Sequence, residues 1–140
     1  MADERVKSGQ CLCGAVKLSA SGPFREVIAC HCKQCRRWTG YYWGATSVYC
    51  DNLSIDEGEE QIAWYQSSDV ARRAFCRCCG SSLFYHRSDQ AEDAEHTISI
   101  SPGLFDDPSG FRHGSQIHCE DAGDYYDLPD YGAPRGFAPE

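Results

Sequence analysis

The chain has 140 residues, 41% of them hydrophobic, which suits one domain with a real core and is too apolar for a disordered segment. Its 13 Lys and Arg face 21 Asp and Glu, a formal charge of −8, and thiolates held on a metal would add to it. Phosphate backbones repel such a surface, so nucleic acid is not an expected partner.

The elements follow in chain order. Residues 1–8 form a charged head expected to fray, with no apolar stretch of the kind that marks a secretory signal. Residues 15–19 alternate polar and apolar, which predicts a strand broken by Gly22 and Pro23. Residues 27–29 read as a short strand leading into cysteines, and 41–49 as an aromatic and β-branched strand. A single helical turn is expected at 36–39. Further short strands are predicted at 62–66, 82–85 and 97–101. From residue 127 onward Pro129, Pro134 and Pro139 predict an extended arm. Many short strands with Gly and Pro turns imply an all-β domain. No run of about 18 apolar residues is present, so no membrane span is expected.

Ten cysteines in such a chain need an explanation. Without an export signal the expected compartment is the cytoplasm, where disulfides are rare and clustered cysteines bind metal or do chemistry. Structural zinc takes four soft ligands, commonly as two close pairs on separate turns. Cys76 and Cys79, followed by Gly80, make one such pair; Cys11 and Cys13, followed by Gly14, make a tighter one. Gly80 suits the positive φ that turns backbone N–H groups toward sulfur. Buried unliganded thiols and a disulfide are the competing readings.

Cys30, Cys32 and Cys35 offer three sulfurs in six residues. Three protein ligands leave a zinc position for water or substrate, the arrangement of a catalytic site. His31 is a conceivable fourth ligand, but in an extended stretch it points away from Cys30 and Cys32. A redox dithiol at Cys32 and Cys35 would want a βαβ setting, which the predicted strands do not provide. Cys78 is expected to point away from the metal, and Cys50 and Cys119 to be small core residues.

The sequence resembles the glutathione-dependent formaldehyde-activating enzyme family, which includes centromere protein V. The resemblance rests on Gly9, Cys11, Cys13 and Gly14, then on Cys30, His31, Cys32, Cys35, Arg36, Arg37, Thr39 and Gly40. It continues through Arg73, Phe75, Cys76, Cys79, Gly80 and Ser81, then Gly103, Asp106, Asp107 and Pro108, and ends at Leu128 and Pro129. It spans residues 9–131 as one zinc domain, with 1–8 and 132–140 as flexible termini.

The resemblance implies an Mss4-like β-tent and two Zn²⁺ per chain. Cys11, Cys13, Cys76 and Cys79 would hold the structural zinc, and Cys30, Cys32 and Cys35 the catalytic one. The implied activity is carbon–sulfur lyase or synthase chemistry on a glutathione-like thiol adduct of a small aldehyde. A zinc-binding module without turnover is the alternative. Lys33, Arg36 and Arg37 flank the open site and are candidates for the thiol's carboxylates, the bland reading being a solvated basic turn. Arg73 is expected to support the loop of the structural pair. Tyr41, Tyr42 and Trp43 would wall a pocket or simply fill strand core. Where family members often show His-Ile and then a tryptophan, this chain has Gln116-Ile117 and Tyr125-Tyr126. A monomer or a homodimer is compatible with the exposed aromatics expected at Tyr41 and Trp64.

Overall fold

The computed structural model describes residues 5–88 and 96–128. In chain order its strands are β1 (Val6–Gln10), β2 (Lys17–Ser21), β3 (Val27–Cys30), β4 (Trp43–Tyr49), β5 (Leu53–Glu57), β6 (Ile62–Gln66), β7 (Ala71–Cys76), β8 (Ser82–Arg87), β9 (Thr97–Ile100) and β10 (His113–Ile117). One helix, α1 (Lys33–Thr39), lies between β3 and β4. The all-β expectation holds, and the single helical turn foreseen at 36–39 is the second half of α1.

Alternation decides the smaller sheet. In β2, Leu18 and Ala20 are buried while Lys17, Ser19 and Ser21 are partly exposed. This strand pairs antiparallel with β1 on one side and β5 on the other. The larger sheet has seven strands in the order β10-β3-β4-β9-β8-β7-β6, antiparallel except where β10 runs parallel to β3. The main core lies between the sheets: Val16, Leu18 and Ala20 meet Val48, Ala74, Leu83, Phe84 and Ile100. Each fully buried Leu, Ile or Phe there contributes about 1.5–3 kcal/mol of transfer free energy.

The same period of two carries side chains to the other face of the large sheet. On β4, Val48 faces the main core, whereas Trp43 and Ala45 join a second cluster with Cys30, Cys35 and Ile117. On β7, Ala74 and Cys76 face the main core. Helix α1 packs on the second face, with Trp38 against that cluster. The sheet thus separates two small environments, each containing cysteines.

Part of the predicted fraying head is strand. Residues 6–8 belong to β1, and Lys7 is only 6% exposed, its Nζ donating to the carbonyls of Asp107 at 2.7 Å and Ser109 at 3.0 Å. These bonds pay the cost of burying the ammonium and fix the 106–109 turn against β1. Residues 1–4 and the arm from 129 lie outside the described residues. No described helix is long and apolar enough to cross a membrane.

Candidate metal centres

The first centre is built from two tight turns. Cys11 and Cys13 sit between β1 and β2, where the Gly14 N–H bonds the Cys11 carbonyl at 3.1 Å. Cys76 ends β7, and the Gly80 N–H returns to its carbonyl at 2.7 Å. Gly80 has φ +81°, the left-handed conformation its place after the C-x-x-C pair predicts. Ser81 links the turns: its Oγ accepts from Leu12 N at 2.9 Å and lies 3.2 Å from Cys79 Sγ.

The four sulfurs lie within 4.8 Å of one another. Cys11 and Cys13 are 3.7 Å apart, and Cys13 and Cys76 3.9 Å. A tetrahedral zinc with bonds of about 2.3 Å holds its sulfurs about 3.8 Å apart, whereas a disulfide needs about 2.05 Å. The donor set and spacing therefore fit a closed zinc site and not a disulfide. Burial opposes ionisation of Cys79, but the Ser81 hydroxyl and nearby backbone N–H groups outweigh it and hold its thiol down to about 5. The turn thus favours the thiolate a metal requires.

The second centre gathers Cys30, Cys32 and Cys35, also within 4.8 Å of one another. Cys30 closes β3, Cys32 is the N-cap of α1, and Cys35 lies in its first turn. The Cys32 sulfur accepts the Cys35 N–H at 3.4 Å, so one contact both caps the helix and fixes the sulfur within the group. Hydrogen bonds from Cys30 and Cys35 press the Cys32 thiol far below its usual range, and the Arg73 charge adds to the effect. In exchange its neighbours push Cys30 far up. A divalent soft cation held among the three sulfurs would let all of them ionise.

Among the described residues, no other His, Cys, Asp or Glu side chain joins this trio. His31 turns away, as strand alternation requires, and is fully buried. Its Nε2 lies 3.0 Å from Gln116 Oε1 and its Nδ1 2.7 Å from the Tyr126 hydroxyl. With the amide oxygen as acceptor, Nε2 carries the proton and Nδ1 accepts from Tyr126. Gln116 and Tyr126 thus meet at one imidazole.

The three predicted cations diverge. Lys33 is exposed. Arg36 donates from Nη1 to the Asp121 carbonyl at 3.2 Å, bracing the turn that follows β10. Arg37 lines a cavity of about 520 Å³ between α1 and β6–β7, together with Trp38, Tyr65, Arg73 and Phe75. Trp43 is strand core, its Nε1 donating to Ser101 Oγ at 2.8 Å. Tyr41 is half exposed and packs with Tyr42, Tyr125 and Tyr126 over His31.

Arg73 is the chief correction. Expected beside the structural pair, it lies on the opposite face of β7 and donates from Nη1 to Cys35 Sγ at 3.5 Å. Its three-residue spacing from Cys76 was the available signal, since an odd separation on a strand means opposite faces. Cys78 is exposed and donates to Gln61 Oε1 at 3.1 Å, away from both centres. Cys50 packs against the main core, and Cys119 is half-buried in the turn after β10; neither belongs to a metal group.

Known proteins are similar to this chain. An uncharacterized lyase of Schizosaccharomyces pombe is 29% identical over 120 residues, covering 86% of this chain and 83% of the relative. A crystal structure of a Rhodobacter sphaeroides protein, a structural genomics target, matches with a TM-score of 0.59 at 24% identity, over 71% of this chain and 87% of that one, which shows a shared fold. The family model of the glutathione-dependent formaldehyde-activating enzymes matches residues 6–121, so the chain belongs to that family.

Proposed function

We propose that the protein is a zinc-dependent carbon–sulfur lyase that makes and breaks the bond between a thiol and a small aldehyde, with glutathione the first candidate thiol. The carrying observation is an asymmetry: one cysteine group offers four sulfurs and the other only three. Four close a structural zinc; three leave a position for a substrate. The family match and the lyase relative support the reaction class.

Cys30, Cys32 and Cys35 would hold the catalytic metal, and Cys11, Cys13, Cys76 and Cys79 the structural one. A bound zinc would supply one thing, an acid strong enough to keep a substrate thiol deprotonated at neutral pH. The rest falls to the chain. Buried Trp43 and half-buried Trp38 would limit the access of water to the sulfurs. Addition joins sulfur to the aldehyde carbon, and the carbonyl oxygen takes up a proton; the reverse step breaks the carbon–sulfur bond and returns it. Arg37, exposed and lining the same cavity as Trp38 and Arg73, would pair with a carboxylate of the incoming thiol. Ten free cysteines suit a reducing cytoplasm as the working compartment.

The test is product formation from formaldehyde and glutathione, followed by the carbon resonance of the adduct. Turnover above the uncatalysed rate, lost in Cys35→Ala, is the expected result. The uncatalysed rate alone, in protein holding both metals, would leave a zinc-binding module without turnover.

A further inference from the structure

Among the described residues Arg73 is a cation with no carboxylate beside it. The residue is only 6% exposed. Its Nη2 donates to Gln34 Oε1 at 3.2 Å, a neutral acceptor, and its Nε has no partner. The guanidinium carbon lies 5.0 Å from the Trp38 ring centre and 4.9 Å from that of Tyr85, so the group is held between two aromatic faces. A buried cation left this way is costly unless an anion sits beside it. The group in that place is Cys35 Sγ, 3.5 Å from Nη1.

We propose that Arg73 is a positioning residue for the second centre, its guanidinium the counter-charge of the Cys30, Cys32 and Cys35 thiolates and the donor that orients the Cys35 sulfur. The inference rests on the reading that this trio holds a metal. Three thiolates around one divalent zinc carry a single negative charge, and Arg73 makes the buried unit neutral. The first centre needs no such partner. Cys13 is exposed there, and the charge is met by solvent, backbone N–H groups and Ser81. Cys11 and Cys76 are as deeply buried as Cys30 and Cys35, so burial alone does not set the two centres apart; what does is that an arginine donates to a sulfur at the second, Arg73 Nη1 to Cys35 Sγ. The slot between Trp38 and Tyr85 suits a planar guanidinium better than an ammonium, so lysine should be a partial substitute.

The experiment uses the metal-loaded protein and two variants, Arg73→Met and Arg73→Lys. Chelator competition should show Arg73→Met losing about 10–100-fold in affinity at one zinc, the usual cost of removing a group that supports a metal ligand, with the other zinc unchanged. Arg73→Lys should lose less. In cobalt-substituted protein the thiolate-to-cobalt absorption of the weaker site should shift in both variants, because the Nη1 bond to sulfur is gone. Met is apolar and fills the same slot, so a role in packing alone predicts wild-type affinity and an unmoved band. Either that result, or equal weakening of both zincs, would overturn the proposal. Should Arg73→Met fail to fold, Arg73→Lys decides by its cobalt band: a shift supports the donor role, and no shift overturns it. None of these readouts involves thiol binding, so a protein that ignores glutathione would count against the lyase reading and leave this test intact.

Discussion

Cys35 and Cys76 are both buried, yet their loss should have unlike consequences. Cys76 faces the main core and belongs to the four-sulfur group that ties the β1–β2 turn to the end of β7. Metal binding at such a site is folding free energy, of order 10 kcal/mol apparent in small zinc domains. Cys76→Ala or Cys79→Ala should therefore give protein that fails to fold, seen as lost near-ultraviolet dichroism and low soluble yield. Cys35→Ala sits in the smaller cluster on the other face. It should fold, keep one zinc of two and lose turnover, which elemental analysis and activity measure together. Ser81 is a lesser case. Ser81→Ala removes the bond to Leu12 N and the contact with Cys79, and should cost about 1 kcal/mol by denaturant titration while leaving metal content at two. At this scale the cysteine groups were legible because the spacing within each cluster is local. Arg73 was not, because its partner lies 38 residues away and its meaning depends on which face of β7 it occupies.

Among the elements, α1 is the one on which the second centre depends. Its start is Cys32, a sulfur cap, and its end is Gly40 at φ +87°, whose N–H bonds the Arg36 carbonyl at 2.7 Å. An added Cβ at Gly40 would meet nothing within 4 Å, so Gly40→Ala isolates backbone strain from crowding. It should cost about 1–2 kcal/mol, a thermal midpoint lower by several degrees, without loss of the first zinc. Seven residues with one buried position, Cys35, carry no apolar stripe, which is why sequence periodicity revealed only a turn there. Strand legibility followed composition in the same way. Residues 62–66 were recognisable because Ile, Trp and Tyr are strand formers, and they are β6 as predicted. β1, β5, β7 and β10 escaped notice: β7 carries Arg72 and Arg73, β5 ends in Asp56 and Glu57, and β1 and β10 are rich in Ser, Gly and Gln. Their strand state comes from pairing with neighbours, a tertiary cause that local propensity does not register.

On the scale of the whole molecule, the large sheet keeps the two centres apart, one on each face, so their metals should leave separately. A graded chelator titration should remove the second zinc first, abolishing turnover while the far-ultraviolet spectrum holds, and remove the first only with unfolding. Simultaneous loss would mean that the two sites are one cooperative unit. If a substrate thiol completes the three-sulfur centre, calorimetry of glutathione on protein holding two zincs will register it. One glutathione should bind per chain to that protein and none to Cys35→Ala holding a single zinc. Absence of heat with the two-zinc protein, or equal binding to both proteins, would contradict the account.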